Sequence, residues 1–390
     1  MTERTVLVAG GGTAGHVFPS VAVAAELQRL DPQITPLFVG TRDRLEGRLV
    51  PAAGYELHHI DVLPLPRRPT PKLLKVPGAL RAAVREVEQL CRDRDVRAVV
   101  TFGGYVSLPA AWAAARLQLP LVVHEQNAVP GLANRLAARW ADRIAVSFPG
   151  SRHRFRRQEI VAVTGNPVRE ELLELDLPAL RERAREHFGL RPDLPTLFAF
   201  GGSQGSRTIN RAVVDSLGHW NGRDGVQLLH SAGRALFDET ATALERARRE
   251  AGAGPQVRLV DFIDEMGLAF AAADAVVCRA GATSIAELTV LGLPSLLVPY
   301  PHATADHQLA NALALQSVGG ATVLEDDELD GERLVAAVEP WLLDPAAGAA
   351  VARAARAFGR PDAARNVARL VLDELGPVRG SRPETTGGVA

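Results

Sequence analysis

Twice in this chain a short apolar run ends on a glycine-rich turn that opens into a helical pattern. Val6-Leu-Val-Ala9 runs into Gly10-Gly-Gly-Thr-Ala-Gly15, and Leu197-Phe-Ala-Phe200 runs into Gly201-Gly-Ser-Gln-Gly205. Each is the signature of a strand, a tight turn and a helix. Further strand-like runs follow the first: Thr35–Val39, Ala98–Thr101, Leu121–His124, Arg143–Val146 and Val161–Val163. Others follow the second: Gln227–Ser231, Val257–Val260, Ala275–Cys278 and Ser295–Val298. Longer helical patterns separate them. Alternation of this kind gives parallel, doubly wound sheets with helices on both faces, and such sheets bind ligands outside the carboxyl ends of their strands.

A chain of 390 residues exceeds what one hydrophobic core usually spans. Gly165-Asn166-Pro167 stops any regular element and marks the break. The expected fold is α/β, with two Rossmann-like domains facing a cleft. Residues 1–165 are expected to form the first domain and 166–358 the second. Residues 359–376 are expected to form a C-terminal helix returning to the first domain. Residues 377–390 lack an apolar period and are expected to be a disordered tail.

Net charge is -1, so any electrostatic partner must meet a local patch, and nothing global calls for nucleic acid. Cys91 and Cys278 lie far apart and form no ligand spacing, which suits a reducing compartment. Met1 to Arg4 lead straight into an apolar run with no signal-peptide pattern. The apolar stretch Leu288–Tyr300 is broken by Gly292, Pro294 and Pro299 and is too short to span a bilayer. These features predict a cytoplasmic protein.

A glycine turn at a helix start lets backbone N–H groups approach a phosphate, and the helix dipole favours its charge. Gly10-x-Gly12-x-x-Gly15 alone also fits a dinucleotide site. That site needs an acid at the end of the second strand, which here reads Phe38-Val39-Gly40-Thr41-Arg42. Arg42 keeps an NADP oxidoreductase open as an alternative. A third turn, Phe102-Gly103-Gly104-Tyr105, favours a cleft for two pyrophosphates, one in a nucleotide donor and one in an acceptor. Tight strand-to-helix packing accounts for some of the glycines in any case.

The segments Gly11-Gly-Thr-Ala-Gly-His-Val-Phe-Pro19, Phe102-Gly-Gly-Tyr-Val-Ser107, His124-Glu-Gln-Asn127, Gly165-Asn-Pro-Val-Arg169 and Gly201-Gly-Ser-Gln-Gly205 recur in one order. Phe262-Ile-Asp264, Arg279-Ala-Gly-Ala-Thr-Ser-Ile-Ala-Glu287 and His307-Gln-Leu-Ala-Asn-Ala312 continue it. Together they resemble the MurG family, the UDP-N-acetylglucosamine transferases that complete the lipid-linked disaccharide of peptidoglycan. The resemblance implies a GT-B fold, with residues 1–165 as the acceptor and membrane-facing domain and 166–358 as the donor-binding domain, inversion at the sugar, no cofactor, and a lipid-linked muramoyl-pentapeptide acceptor on undecaprenyl pyrophosphate. It implies substrate contacts at Thr13, Ala14, Gly15, Tyr105, Asn127, Arg169 and Ser203. The second domain adds Ile263, Ala282, Thr283, Glu287 and Gln308. Ala14 stands where many relatives have glycine, and His307 where some have glutamine.

The residue types suit that chemistry. A carboxylate at Glu287 can accept from both ribose hydroxyls, although near a helix start it also fits a simple dipole interaction. Arg169 can offer a planar fork to a diphosphate, and preorganised donors stabilise the charge growing on UDP as the glycosidic bond breaks. Asp93-x-Asp95 precedes its strand, on the edge away from the ligands, so no metal is expected. The acceptor hydroxyl needs a base; His16 is the candidate, against a plain backbone-capping role. Glu125 is the alternative base, or a residue that orients the acceptor.

Between Asp61 and Glu86 there is no acid, and Arg67, Arg68, Lys72, Lys75, Arg81 and Arg85 alternate with Leu73, Leu74, Val76, Leu80 and Val84. Apolar groups beside a basic rim read as a surface that settles on anionic lipid, each basic residue adding about 1 kcal/mol. Membrane contact is expected for residues 65–81, and ordinary packing on the sheet for Val84 to Leu90. A related GT-B enzyme using another UDP-sugar or lipid acceptor, a UDP-sugar epimerase and a catalytically silent nucleotide-sugar binder remain as rivals.

Overall fold

The computed structural model describes residues 4–62, 76–202, 204–220, 225–251 and 254–376. The expected tail at 377–390, the core of the basic segment and Ser203 lie outside the described residues.

The first sheet contains β1 (Arg4–Ala9), β2 (Ile34–Gly40), β3 (Glu56–His59), β4 (Val96–Thr101), β5 (Leu121–Glu125), β6 (Arg143–Val146) and β7 (Val161–Val163). The second contains β8 (Thr196–Phe200), β9 (Gln227–Ser231), β10 (Gln256–Val260), β11 (Ala275–Cys278), β12 (Ser295–Leu297) and β13 (Thr322–Val323). Their orders are β3-β2-β1-β4-β5-β6-β7 and β10-β9-β8-β11-β12-β13, with parallel pairing throughout. Both are therefore doubly wound.

Alternation along the strands builds the layers. In β1, Leu7 and Ala9 enter the core on one face of the sheet, while Val6 and Val8 enter the core on the other. In β8, Leu197 and Ala199 face one way and Phe198 and Phe200 the other. Side chains buried on both faces are what a parallel sheet covered by helices requires. Edge strands β3 and β13 have no fully buried residue. That is why no apolar run announces either one.

The chain passes between domains twice. Gly165 takes φ +88 at the first crossing, and an added Cβ there would collide with Arg360 at the second. Beyond it the helix Ala363–Leu375 places Val367, Ala368 and Val371 in the core that contains Val6, Val8 and Val17 of the first domain. Arg143–Glu374 at 2.7 Å and Arg365–Glu26 at 3.2 Å hold its two ends. The final helix thus ties the end of the second domain back to the first.

Candidate functional site

In each sheet the strand order reverses once, between β1 and β4 and between β8 and β11. A crevice opens at such a switch point, beyond the carboxyl ends of the strands. The turns 10–15 and 102–105 flank the first; residues 201–202 and 204–205 and the segment 279–287 flank the second. The two crevices meet. An added Cβ on Gly15 would lie 3.7 Å from Thr283 Oγ1 of the other domain.

Three helices start at this meeting point without a side-chain cap: Ala14–Leu30, Ala282–Leu291 and His307–Gln316. None has an acid in its first turn. Asp176, Ser206, Asp330 and Asp344 cap other helices, while Ser107–Leu117 and Ala363–Leu375 also start without a side-chain cap. An uncapped start leaves N–H donors and the positive end of the dipole free for an anion. Thr13, Ala14 and Gly15 lie at the first start, Ala282 and Thr283 at the second, and Gln308 at the third. Gln308 Oε1 accepts from the Tyr300 N–H at 2.9 Å.

The glycines interlock the turns. Gly104 has φ +83, and a Cβ there would strike the Gly11 carbonyl oxygen. Gly205 and Gly233, both at positive φ, pack backbone against backbone in the second domain. Close packing, as much as anion approach, fixes these residues.

His16 sits on the first turn of its helix. Its Nδ1 lies 3.1 Å from the Gly11 carbonyl and 3.0 Å from Thr13 Oγ1. A carbonyl can only accept, so Nδ1 carries the proton and Nε2 is left with its lone pair. Nε2 points at Gly103, where an added Cβ would stand 3.0 Å away. Burial holds the His16 pKa below its ordinary value; the hydrogen bond to Gly11 and the Glu46 charge oppose this, and His307 adds to it. The ring is thus neutral at pH 7. Tyr105 is exposed, with its ring against Gly12.

Glu125 is buried and fully engaged. Oε1 accepts from the Asn127 N–H at 2.9 Å and from Asn127 Nδ2 at 3.3 Å. Oε2 accepts from the Gly131 N–H at 3.0 Å and from Asn134 Nδ2 at 2.9 Å. Desolvation raises its pKa against those four bonds. With both oxygens committed, the geometry makes Glu125 the organiser of the 127–134 loop. Beside it His124 is buried between Gly165 O and Gln126, with its pKa pushed down to about 4.

Asn127 meets the second domain through Asn311, a buried residue of the helix His307–Gln316. Asn311 Nδ2 donates to Asn127 Oδ1 at 3.2 Å and to Ala280 O at 3.2 Å, and its Oδ1 accepts from the Ala128 N–H at 2.7 Å. Asn311 lies within the segment His307-Gln-Leu-Ala-Asn-Ala312 but carries no signal of its own there. An amide buried between two domains leaves no periodicity to read.

Glu287 lies in the second turn of Ala282–Leu291, buried, with Oε1 3.2 Å from Arg169 Nη2. Burial raises its pKa, and Arg169 opposes the shift. Arg169 also pairs with Glu171 at 2.9 Å and lies 4.8 Å above the Phe18 ring of the first domain. Ile263 is buried in the same core as Val168 and Ala282. Thr283 Oγ1 and Arg169 Nε are buried without a hydrogen-bond partner. Both border the meeting point of the domains, where a bound anion could accept from them. Among the described residues no group of three His, Cys, Asp or Glu side chains is placed to hold a metal. Asp93 and Asp95 bond to Gln89 and Arg97, on the sheet edge away from the cleft.

Two sequence expectations need correction. No acid ends β2, yet Glu46, a few residues on, brings its carboxylate 2.9 Å from the Gly12 N–H. That amide is occupied from within, which removes one of the donors a pyrophosphate would need at the first turn and weakens the NADP alternative. Leu80, placed among the lipid-facing residues, packs instead on the core of the first domain, as does Val84.

Family comparison agrees with this architecture. Residues 6–146 match the glycosyltransferase family 28 N-terminal domain, and residues 196–367 its C-terminal domain. A relative from Streptomyces coelicolor is 44% identical over 370 residues, covering 95% of this chain and 98% of its own. It is named UDP-N-acetylglucosamine--N-acetylmuramyl-(pentapeptide) pyrophosphoryl-undecaprenol N-acetylglucosamine transferase, as is a relative from Nocardioides sp. at 45% identity over 371 residues, with the same coverage of both chains. The crystal structure of Acinetobacter baumannii MurG superposes with a TM-score of 0.74 at 25% identity, over 95% of this chain and 99% of that one. A UDP-GlcNAc 2-epimerase from Neisseria meningitidis shares the fold, with a TM-score of 0.69 at 12% identity over 95% of this chain and 100% of that one. Whole-length identity, not fold alone, separates the two, and the chain belongs to the MurG family of GT-B, UDP-sugar-dependent glycosyltransferases.

Proposed function

We propose that this enzyme moves N-acetylglucosamine from UDP-GlcNAc to the muramoyl-pentapeptide carried on undecaprenyl pyrophosphate, inverting the sugar carbon. The substrates are those named for the relatives from Streptomyces coelicolor and Nocardioides sp.. The observation that carries the chemistry is His16 on the first turn of its helix, with Nδ1 held on the Gly11 carbonyl and Nε2 turned toward Gly103, next to Gly15, which meets Thr283 of the other domain. Nε2 takes the proton of the acceptor hydroxyl as its oxygen attacks the anomeric carbon. The bond from that carbon to UDP breaks, and its electron pair goes to the β-phosphate oxygen. Arg169, the Thr283 hydroxyl and the amides at Ala282 and Thr283 stabilise the growing charge without a metal. Glu287 holds the ribose, Ile263 lines the base, and Glu125 orders Asn127, a donor contact.

The test measures UDP release with the lipid-linked acceptor, with and without a chelator, in wild type and His16→Ala. Turnover unaffected by chelation and abolished by His16→Ala, with UDP binding retained, is the expected result. Loss of turnover on chelation would refute the account of the leaving group.

We also place the enzyme peripherally on the cytoplasmic face of the membrane, through residues 65–81. Arg81 and Arg85 are exposed on the helix Val76–Asp93, whose other side is buried. No single helix among the described residues is long and apolar enough to cross a membrane. Binding to anionic liposomes that survives charge reversal at Lys72 and Lys75 would remove the idea.

A further inference from the structure

Glu46 is a buried carboxylate with no role in the chemistry above, and two glycines make room for it. An added Cβ on Gly11 or on Gly40 would come within 2.7 Å of its side chain. Neither glycine has a positive φ, so the requirement is for space. Oε1 accepts from the Thr41 hydroxyl at 2.7 Å and the Thr41 N–H at 3.2 Å. Oε2 accepts from the Gly12 N–H at 2.9 Å.

The Gly12 N–H and the Gly11 carbonyl belong to one peptide group. Its N–H end meets Glu46 at 2.9 Å, and its oxygen meets His16 Nδ1 at 3.1 Å. The order is carboxylate, peptide, imidazole. An anion at the N–H end draws electron density toward the carbonyl oxygen and makes it a stronger acceptor, since hydrogen bonds in a chain polarise one another. The hydrogen bond at Nδ1 decides which ring nitrogen keeps the proton and how the ring is aimed. Gly104, packed on the Gly11 oxygen, keeps the peptide from turning.

We propose that Glu46 is a positioning residue for transfer: through the Gly11–Gly12 peptide it fixes the Nδ1–H form of His16 and supports the imidazolium that forms on proton abstraction. The inference rests on the reading of His16 as the base. Two other titratable groups act on the ring: His307 from the helix His307–Gln316 and His124 from the end of β5. Glu46 is the anion among them.

The experiment compares wild type, Glu46→Gln and His16→Ala by kcat and KM across pH, and by nitrogen-15 chemical shifts of the His16 ring. In wild type the neutral ring is expected as the Nδ1–H tautomer. Glu46→Gln is expected to lower kcat on the order of ten- to a hundredfold, as loss of a residue that orients a functional histidine does. The KM for UDP-GlcNAc is expected to stay within about twofold, since Glu46 does not touch the donor. The acid limb of kcat/KM is expected to move to lower pH, because the anion that favours the imidazolium is gone, and the ring signal to become a mixture of tautomers. A merely structural Glu46 would lower activity in proportion to the folded fraction, with limb and tautomer unmoved; that result overturns the proposal. If Glu46→Gln does not fold, Glu46→Asp retracts the charge by one methylene and is expected to change both in the same direction by less; unmoved values again overturn it. Full activity in His16→Ala would sink the base assignment alone, while the tautomer readout would still decide what Glu46 does to the ring.

Discussion

Replacing Glu287 by Gln tests how this site reads a nucleoside. The carboxylate is buried and gives one oxygen, Oε1, to Arg169 at 3.2 Å. Oε2 is the oxygen assigned to a ribose hydroxyl. A hydrogen bond to a charged acceptor contributes about 1.5–3 kcal/mol, which corresponds to roughly 10- to 150-fold in affinity. Gln keeps the shape but loses the charge and one acceptor, so UDP is expected to bind weaker by that factor. Calorimetric titration with UDP and with 2′-deoxy-UDP separates the ribose contact from general damage. Wild type should discriminate strongly between them and Glu287→Gln hardly at all. Equal discrimination by both proteins would refute the ribose assignment, and unchanged UDP affinity would refute the placement of the nucleotide at Glu287.

The pH dependence of the same carboxylate follows from its burial, which raises its pKa above the usual range. As pH falls, UDP affinity should begin to drop at a higher pH than an exposed glutamate would give. Folding runs the other way: with the folded pKa above the unfolded one, this group stabilises the fold below the unfolded pKa and loses that contribution as pH rises through the folded value. Titrations of binding and of denaturation against pH check the two signs. Gly103→Ala places a Cβ 3.0 Å from His16 Nε2 at a residue with φ +93. It is expected to cost about 1–3 kcal/mol in backbone strain and to lower kcat more than donor KM, measured by denaturation and steady-state kinetics. Asn311→Ala strands the Ala128 N–H and the Asn127 and Ala280 oxygens. At about 1–3 kcal/mol for each buried group left unsatisfied, the denaturation midpoint should fall clearly. Faster hydrogen exchange at Ala128 would locate the loss.

What the chain disclosed before folding was whatever repeats locally. Apolar runs marked the interior strands because parallel strands are buried on both faces, and glycine turns marked where each β-α unit begins. β3, Glu56–His59, carries two histidines and a glutamate and is half-exposed at a sheet edge, so no pattern betrays it. Glu46 lies in a short helix, Glu46–Ala52, that contains Pro51 and has no amphipathic period. Its one trace was Gly40 at the end of a strand, a glycine no turn required. Asn311 and the pairing of Arg169 with Glu287 join elements far apart in the chain, and only tertiary structure brings them together.

The donor nucleotide is expected where the two switch-point crevices meet, and a crystal soaked in UDP-GlcNAc decides it. Ribose is expected at Glu287, diphosphate at the start of Ala282–Leu291 with Arg169 beside it, and the sugar carbon turned toward His16. Density for the nucleotide on an outer face of either sheet, with those residues unchanged, would contradict it.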